Sequence, residues 1–157
     1  YRGLDKSLWQ KVKNDIKIDK TQRALYASDI SAYAVEDIER NLQRADLPFA
    51  VAFEQNNALD VMPPAKSGVM ICNPPYGERI DVTTPNETAV FFKQWADHLK
   101  QNYAGWNAYI LTSDRDTPKY MRLSASKKTP LFNGALDCRL FEFKMVAGSA
   151  RKEKPAQ

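Results

Sequence analysis

The sequence predicts an α/β fold: an open, largely parallel sheet that ends in an antiparallel hairpin. Three observations carry that expectation. Short apolar segments alternate with helical ones in the order strand, helix, strand, strand, helix, strand, which is the rhythm of an open α/β sheet. Segment 68–72, Gly-Val-Met-Ile-Cys, is apolar without alternation, as expected of a strand buried on both faces. In the last third, segments 128–132 and 138–146 flank Asn133-Gly134, a dipeptide that favours tight turns between antiparallel strands.

The elements follow in order. Residues 1–23 are rich in Lys and Asp, with Leu4, Leu8, Trp9, Val12 and Ile16 at helical spacing, so a peripheral amphipathic helix is expected. A short strand over 24–27 ends at Ser28-Asp29. Ser31 then caps a helix running to about residue 45, with Val35, Ile38 and Leu42 as its apolar stripe and Pro48 preventing continuation. A second strand is expected over 49–53. After Asp60 and the Pro63-Pro64 loop comes the 68–72 strand, which stops at Asn73-Pro74-Pro75-Tyr76. Residues 87–102 read as a helix with Val90, Phe91, Trp95 and Leu99 inward, and 106–112 as another buried strand. With no internal repeat or low-complexity linker, residues 1–150 read as one domain and 151–157 as a charged, Pro-containing tail.

Composition sets outer limits. The chain has 157 residues, 43% hydrophobic and 27% charged, which suits one ordinary globular domain. No run approaches the ~20 apolar residues of a membrane-spanning helix, and the first residues lack the plan of a signal peptide; a soluble, cytoplasmic protein is expected. Cys72 and Cys138 stand singly inside apolar runs, so neither a disulfide framework nor a metal-ligand set is expected, and both thiols should be buried and reduced. The formal net charge of +4 gives a weak long-range attraction for a polyanion.

The sharpest local feature is Asn73-Pro74-Pro75-Tyr76-Gly77 at the expected carboxyl end of the most apolar strand. Ligands of open α/β sheets bind at that edge. Two prolines fix φ and remove two backbone donors, which leaves the Pro74 carbonyl free to accept beside the Asn73 side-chain carbonyl. Two adjacent acceptors suit an exocyclic NH2 group, because engaging both hydrogens aims the nitrogen lone pair outward. Tyr76 supplies a flat ring to stack on an extruded base. The bland alternative is a rigid turn leaving a strand.

Asp29, just past the first strand, is placed to accept hydrogen bonds from ribose hydroxyls, or else to cap the next helix. Asp60, past the second strand, suits the adenine amino group of the same cofactor, or else a turn. His98, beside Asp97 and Lys100, is expected on a solvated helix face. Glu78 and Arg79 either order the motif loop or are plain surface residues. Lys119, Arg122, Lys127 and Lys128 form a basic cluster suited to RNA phosphates or merely to solubility.

On these residues the chain resembles the bacterial 23S ribosomal RNA guanine-N2 methyltransferases of the RlmL type, whose members are often labelled N6-adenine-specific DNA methylases. The likeness runs from Leu8 through Tyr26-Ala27-Ser28-Asp29-Ile30, Asn73 to Ile80 and Leu131-Phe132-Asn133-Gly134 to Met145-Val146-Ala147-Gly148-Ser149. Asn-Pro-Pro-Tyr alone marks amino methyltransferases generally; Gly77-Glu78-Arg79 and the Leu-Phe-Asn-Gly turn point to the rRNA group. The resemblance implies a Rossmann-like methyltransferase fold and S-adenosylmethionine as cofactor. It implies Asp29, Ile30, Asp60 and Asn73 as cofactor contacts, and Asn73, Pro74, Pro75 and Tyr76 as the catalytic motif.

The chain departs from the family pattern in one respect. It contains neither the Gly-rich first motif that cradles the methionine part of the cofactor nor the strand before it, and no RNA-binding THUMP domain. In the family fold that strand lies between the one ending at Asp29 and the one ending at Asn73. The chain is therefore expected to be the C-terminal part of a catalytic domain, partnered by the remaining N-terminal part of the same protein and by ribosomal RNA. Two other functions stay open: an adenine-N6 DNA methyltransferase, and a non-catalytic RNA-binding module with a degenerate methyltransferase fold.

Overall fold

The computed structural model describes residues 3, 5–16, 24–47, 51–74 and 85–147. The chain divides into two compact units, Tyr1–Gln55 and Asn56–Gln157. In the first, helix α1 spans Lys6–Asp15 and is capped by Asp5, whose carboxylate accepts from the backbone N–H of Ser7 at 2.9 Å and Leu8 at 3.1 Å. The amphipathic stripe is present, but Leu8, Trp9 and Val12 all remain exposed. Strands β1 (Tyr26–Asp29) and β2 (Ala52–Gln55) pair in parallel, from Tyr26 opposite Ala52 to Asp29 opposite Gln55. β1 begins two residues later than the apolar pattern suggests, so Asp29 closes its strand instead of following it; the expected start of the second strand, 49–50, lies outside the described residues.

Helix α2 (Ala32–Arg44) starts where Ser31 predicts, with the Ser31 hydroxyl accepting from the Ala34 N–H at 3.4 Å. Its end is made by Asp46, at φ 59°, and by the Leu47 N–H donating to the Leu42 carbonyl at 2.9 Å. This is a left-handed C-terminal closure usually given to Gly or Asn.

The second unit is a four-stranded sheet of order β3-β4-β6-β5, with β3 at Gly68–Cys72, β4 at Trp106–Thr112, β5 at Lys127–Asn133 and β6 at Leu136–Lys144. β3 and β4 are parallel; β4 with β6, and β6 with β5, are antiparallel. Asn133 pairs with Leu136, so the hairpin loop is Gly134-Ala135, and the φ of +63° at Gly134 is the left-handed value that a two-residue turn needs at its first position. Pro130 sits on β5, an edge strand of this sheet, where a missing N–H is tolerated.

Helix α3 (Pro85–Asn102) supplies Phe92, Trp95, Ala96 and Leu99 to a core shared with Ala108 and Ile110 of β4 and Phe141 and Phe143 of β6. One expected inward residue is wrong: Val90 is 48% exposed, whereas Phe92 is 1% exposed. Phe92 is in register with Trp95, Ala96 and Leu99 at three-, four- and seven-residue spacing, so the buried stripe is set by the larger aromatic set and Val90 falls beside it. A short helix, α4 (Thr117–Met121), follows β4 and was not expected, although Asp116 as cap and Pro118 in the first turn are its ordinary signals.

β3 does not have two buried faces. Met70 and Cys72 pack against the core, while Val69 is 58% and Ile71 is 76% exposed. Among the described residues, β3 pairs only with β4, so one face and one edge of this apolar strand are uncovered. Cys138 is buried, as expected, whereas Cys72 is only half-buried.

Gly68 is fixed by contact. It lies opposite Trp106 across the parallel ladder, and a Cβ added there would stand 2.7 Å from the indole ring, whose Nε1 donates to the Ala65 carbonyl at 3.0 Å. Gly68→Ala should therefore destabilise the fold by about 1–3 kcal/mol through overpacking. Urea denaturation checks this, and an unchanged midpoint would show that the indole yields without cost.

Candidate functional site

The carboxyl ends of β3 and β4 lie side by side, because the parallel ladder runs to Cys72 opposite Ile110. Asn73 and Pro74 follow directly: Asn73 is exposed and Pro74 is buried. The chain leaving β3 is thus anchored by the proline ring while the Asn73 amide stays accessible. Pro75, Tyr76, Glu78 and Arg79 lie outside the described residues.

The neighbouring strand end is held by its own side chains. Thr112 is buried, and its hydroxyl accepts from the Asp114 N–H at 3.0 Å. The Asp114 carboxylate accepts from the Asp116 N–H at 2.8 Å, and the Thr117 hydroxyl donates to the Asp114 carbonyl at 2.9 Å. These bonds steer the chain out of β4 and straight into α4. The Asp114 carboxylate also pushes the Tyr120 phenol above its ordinary pKa, with burial adding to the effect.

Asp60 sits exposed in the turn 58–60, where its N–H donates to the Asn57 carbonyl at 2.9 Å and the Asn57 side chain accepts from the Leu59 N–H at 3.0 Å. Among the described residues its carboxylate has no hydrogen-bond or ionic partner. The next residue is clamped: the Val61 carbonyl accepts from His98 Nε2 at 2.8 Å and from the Tyr103 hydroxyl at 2.8 Å. The Asn102 amide nitrogen lies 3.1 Å from His98 Nδ1, which holds the ring from its other side. The solvated face expected for His98 is therefore incorrect. The ring is half-buried and holds the Asp60 turn, a role with no local signature because 37 positions separate it from Val61. Burial raises the Tyr103 pKa, so its phenol keeps the donated proton.

In the first unit, Asp29 is exposed and one of its oxygens accepts from the Ser31 N–H at 2.8 Å, so it orders the residue before the helix while Ser31 itself is the cap. The side chain of Ile30 is exposed, and its carbonyl accepts from the Gln55 amide at 3.0 Å. The expected basic cluster divides. Lys119 belongs to α4 and Arg122 caps it, whereas Lys127 and Lys128 lie on β5, with the Lys128 ammonium 6.0 Å from the Phe141 ring.

Residues 1–142 match the family model for the RMKL-like methyltransferase domain. The chain belongs to that family. A curated relative of this RMKL-like domain is the ribosomal RNA large subunit methyltransferase K/L of Shewanella baltica, 32% identical over 99% of the chain. The chain spans about 22% of that protein's length. A structure assigned as a methyltransferase and solved with SAH superposes with a TM-score of 0.72 at 25% identity, covering 95% of this chain and 40% of its own. A protein from Listeria monocytogenes described as a predicted N6-adenine-specific DNA methylase gives a TM-score of 0.63 at 25% identity, over 75% of this chain and 29% of its own. The fold is thus the Rossmann-like methyltransferase fold that the motifs implied, and the RlmL-type resemblance holds across nearly the whole RMKL-like chain.

Proposed function

We propose that this chain is the C-terminal part of the catalytic domain of an S-adenosylmethionine-dependent methyltransferase that methylates the exocyclic amine of a nucleobase, namely guanine N2 in 23S ribosomal RNA. The observation that carries this reading is the accessible Asn73 amide beside a buried Pro74 at the carboxyl end of β3, in an RMKL-like domain. The names of the curated relatives and the neighbour solved with SAH support the substrate and the cofactor. The remaining N-terminal part of the same protein and the rRNA are the proposed partners, and the cytoplasm the proposed location. Among the described residues, no helix is long and apolar enough to cross a membrane.

Taken each within its own unit, the two acids are open to such a cofactor. Asp29 has one oxygen for ribose hydroxyls beyond its bond to the Ser31 N–H, and among the described residues the Asp60 carboxylate has no partner, which suits an adenine amine. When bound, S-adenosylmethionine supplies a methyl group made electrophilic by a cationic sulfur. Asn73 and the Pro74 carbonyl accept the two hydrogens of the target amine and fix its lone pair, while Tyr76 stacks on the base. These groups act by orientation and by preformed acceptors. No protein base is needed before attack, since the nitrogen becomes acidic only as the new bond forms and then releases its proton to water.

The test uses tritiated cofactor with undermodified 23S rRNA and with unmethylated DNA. Label is expected in guanine N2 of the rRNA. Label confined to adenine in DNA would establish the activity named for the Listeria neighbour instead, and the absence of cofactor binding by calorimetry would leave the non-catalytic module.

A further inference from the structure

Helices α3 and α4 enclose an open hollow of about 290 Å³ lined by Ala89, Val90, Lys93, Lys119, Tyr120 and Arg122. Its lining holds three cations, one aromatic ring and an apolar floor, with no carboxylate among them. Carboxylates stand just outside: Lys93 pairs with Asp97 at 3.2 Å, and Lys119 with Asp116 at 2.7 Å. Such exposed pairs contribute little, so both ammonium groups can exchange their partner for a phosphate at little cost. Arg122 has no ionic or hydrogen-bonded side-chain partner among the described residues.

The backbone at Arg122 adds an independent observation. It caps α4 at φ 49°, a left-handed conformation that Gly or Asn usually takes, yet the residue here is a long cation. The conformation is held from across the core, because Lys100 donates to the Met121 carbonyl at 3.2 Å and the Leu123 N–H to the Pro118 carbonyl at 3.2 Å. The same left-handed closure ends α2 at Asp46, so the conformation fixes the place of Arg122 at the rim of the hollow without by itself marking a site. α3 and α4 both follow carboxyl ends of the parallel strands, so the hollow is built from the segments that leave the Asn73 edge of the sheet.

We infer that this hollow holds the backbone phosphates and one unstacked base of the RNA strand that carries the target nucleotide. Lys93, Lys119 and Arg122 take the phosphates, and Tyr120 faces the base over Ala89 and Val90. A sequence-tolerant stacking platform with cations beside it is how proteins hold single strands. The inference rests on the methyltransferase reading for the identity of the strand.

The test measures binding of a single-stranded oligoribonucleotide of about twelve residues to the full-length protein over a range of salt. K93Q/R122Q should weaken binding about tenfold and reduce the slope of log K against log salt by about 1.4, the value for two lost phosphate contacts at ~0.7 each. R122K should keep the parental slope. Tyr120→Leu should weaken binding about tenfold with the slope unchanged. Cofactor affinity should stay at the parental value throughout, and the thermal midpoint should stay parental in K93Q/R122Q and R122K, whose side chains are exposed. Parental affinity and slope in K93Q/R122Q would overturn the inference even if methyl transfer is intact. A parent that binds no cofactor yet shows the predicted slope changes would sink the methyltransferase reading and leave the hollow standing.

Discussion

Asn73→Ala is expected to cut methyl transfer by about 10²–10³-fold, the usual consequence of removing one preformed polar group from a site of this kind, while leaving cofactor affinity nearly intact. The side chain is exposed at the end of β3, so its truncation leaves no cavity and should move stability by no more than about 0.5 kcal/mol. The lost rate therefore cannot be ascribed to unfolding. Asn73→Asp keeps an acceptor oxygen and should retain more of the rate than Asn73→Ala. Single-turnover transfer of a tritiated methyl group, paired with calorimetry of cofactor binding, separates chemistry from binding. A parental single-turnover rate in Asn73→Ala removes Asn73 from the amine-holding role.

Phe92→Ala is expected to cost about 3–5 kcal/mol, because a fully buried aromatic leaves both a lost transfer energy and a cavity. Phe92 is 1% exposed and packs edge-on to Phe91 at 5.6 Å and tilted to Trp95 at 6.3 Å, within the cluster that joins α3 to β4 and β6. Val90→Ala, two positions away, should change stability by less than about 0.5 kcal/mol. Denaturant midpoints with unchanged m-values measure both. Equal losses at the two positions would mean that α3 is rotated relative to the stripe described here.

Much of this architecture was legible in local chemistry. Ser31 announces α2 through a hydroxyl that needs only the next turn to cap, and Trp106–Thr112 announces β4 through an apolar run bounded by Gly105 and Ser113. The hairpin follows from Asn133-Gly134, although the paired register places the loop at Gly134-Ala135. The strand ends at Asp29 and Asn73 were found because motif and element boundary coincide. Other features escaped. α4 is short enough for its Asp116 and Pro118 signals to read as loop, and the apolar run of β3 cannot say whether one face or two will be covered.

By itself, then, the sequence determined the α/β class, the caps, the order of strands and the Asn73-Pro74 motif at a strand terminus, all of which depend on residues within a few positions of one another. Only the tertiary structure decided that Phe92 and not Val90 enters the core, that His98 and Tyr103 clamp Val61, and that Lys93 joins Lys119 and Arg122 around one hollow. Each of those outcomes is a contact between groups remote in the chain. Periodicity limits which faces are available to be buried, but the partner that covers a face is chosen only when the elements pack.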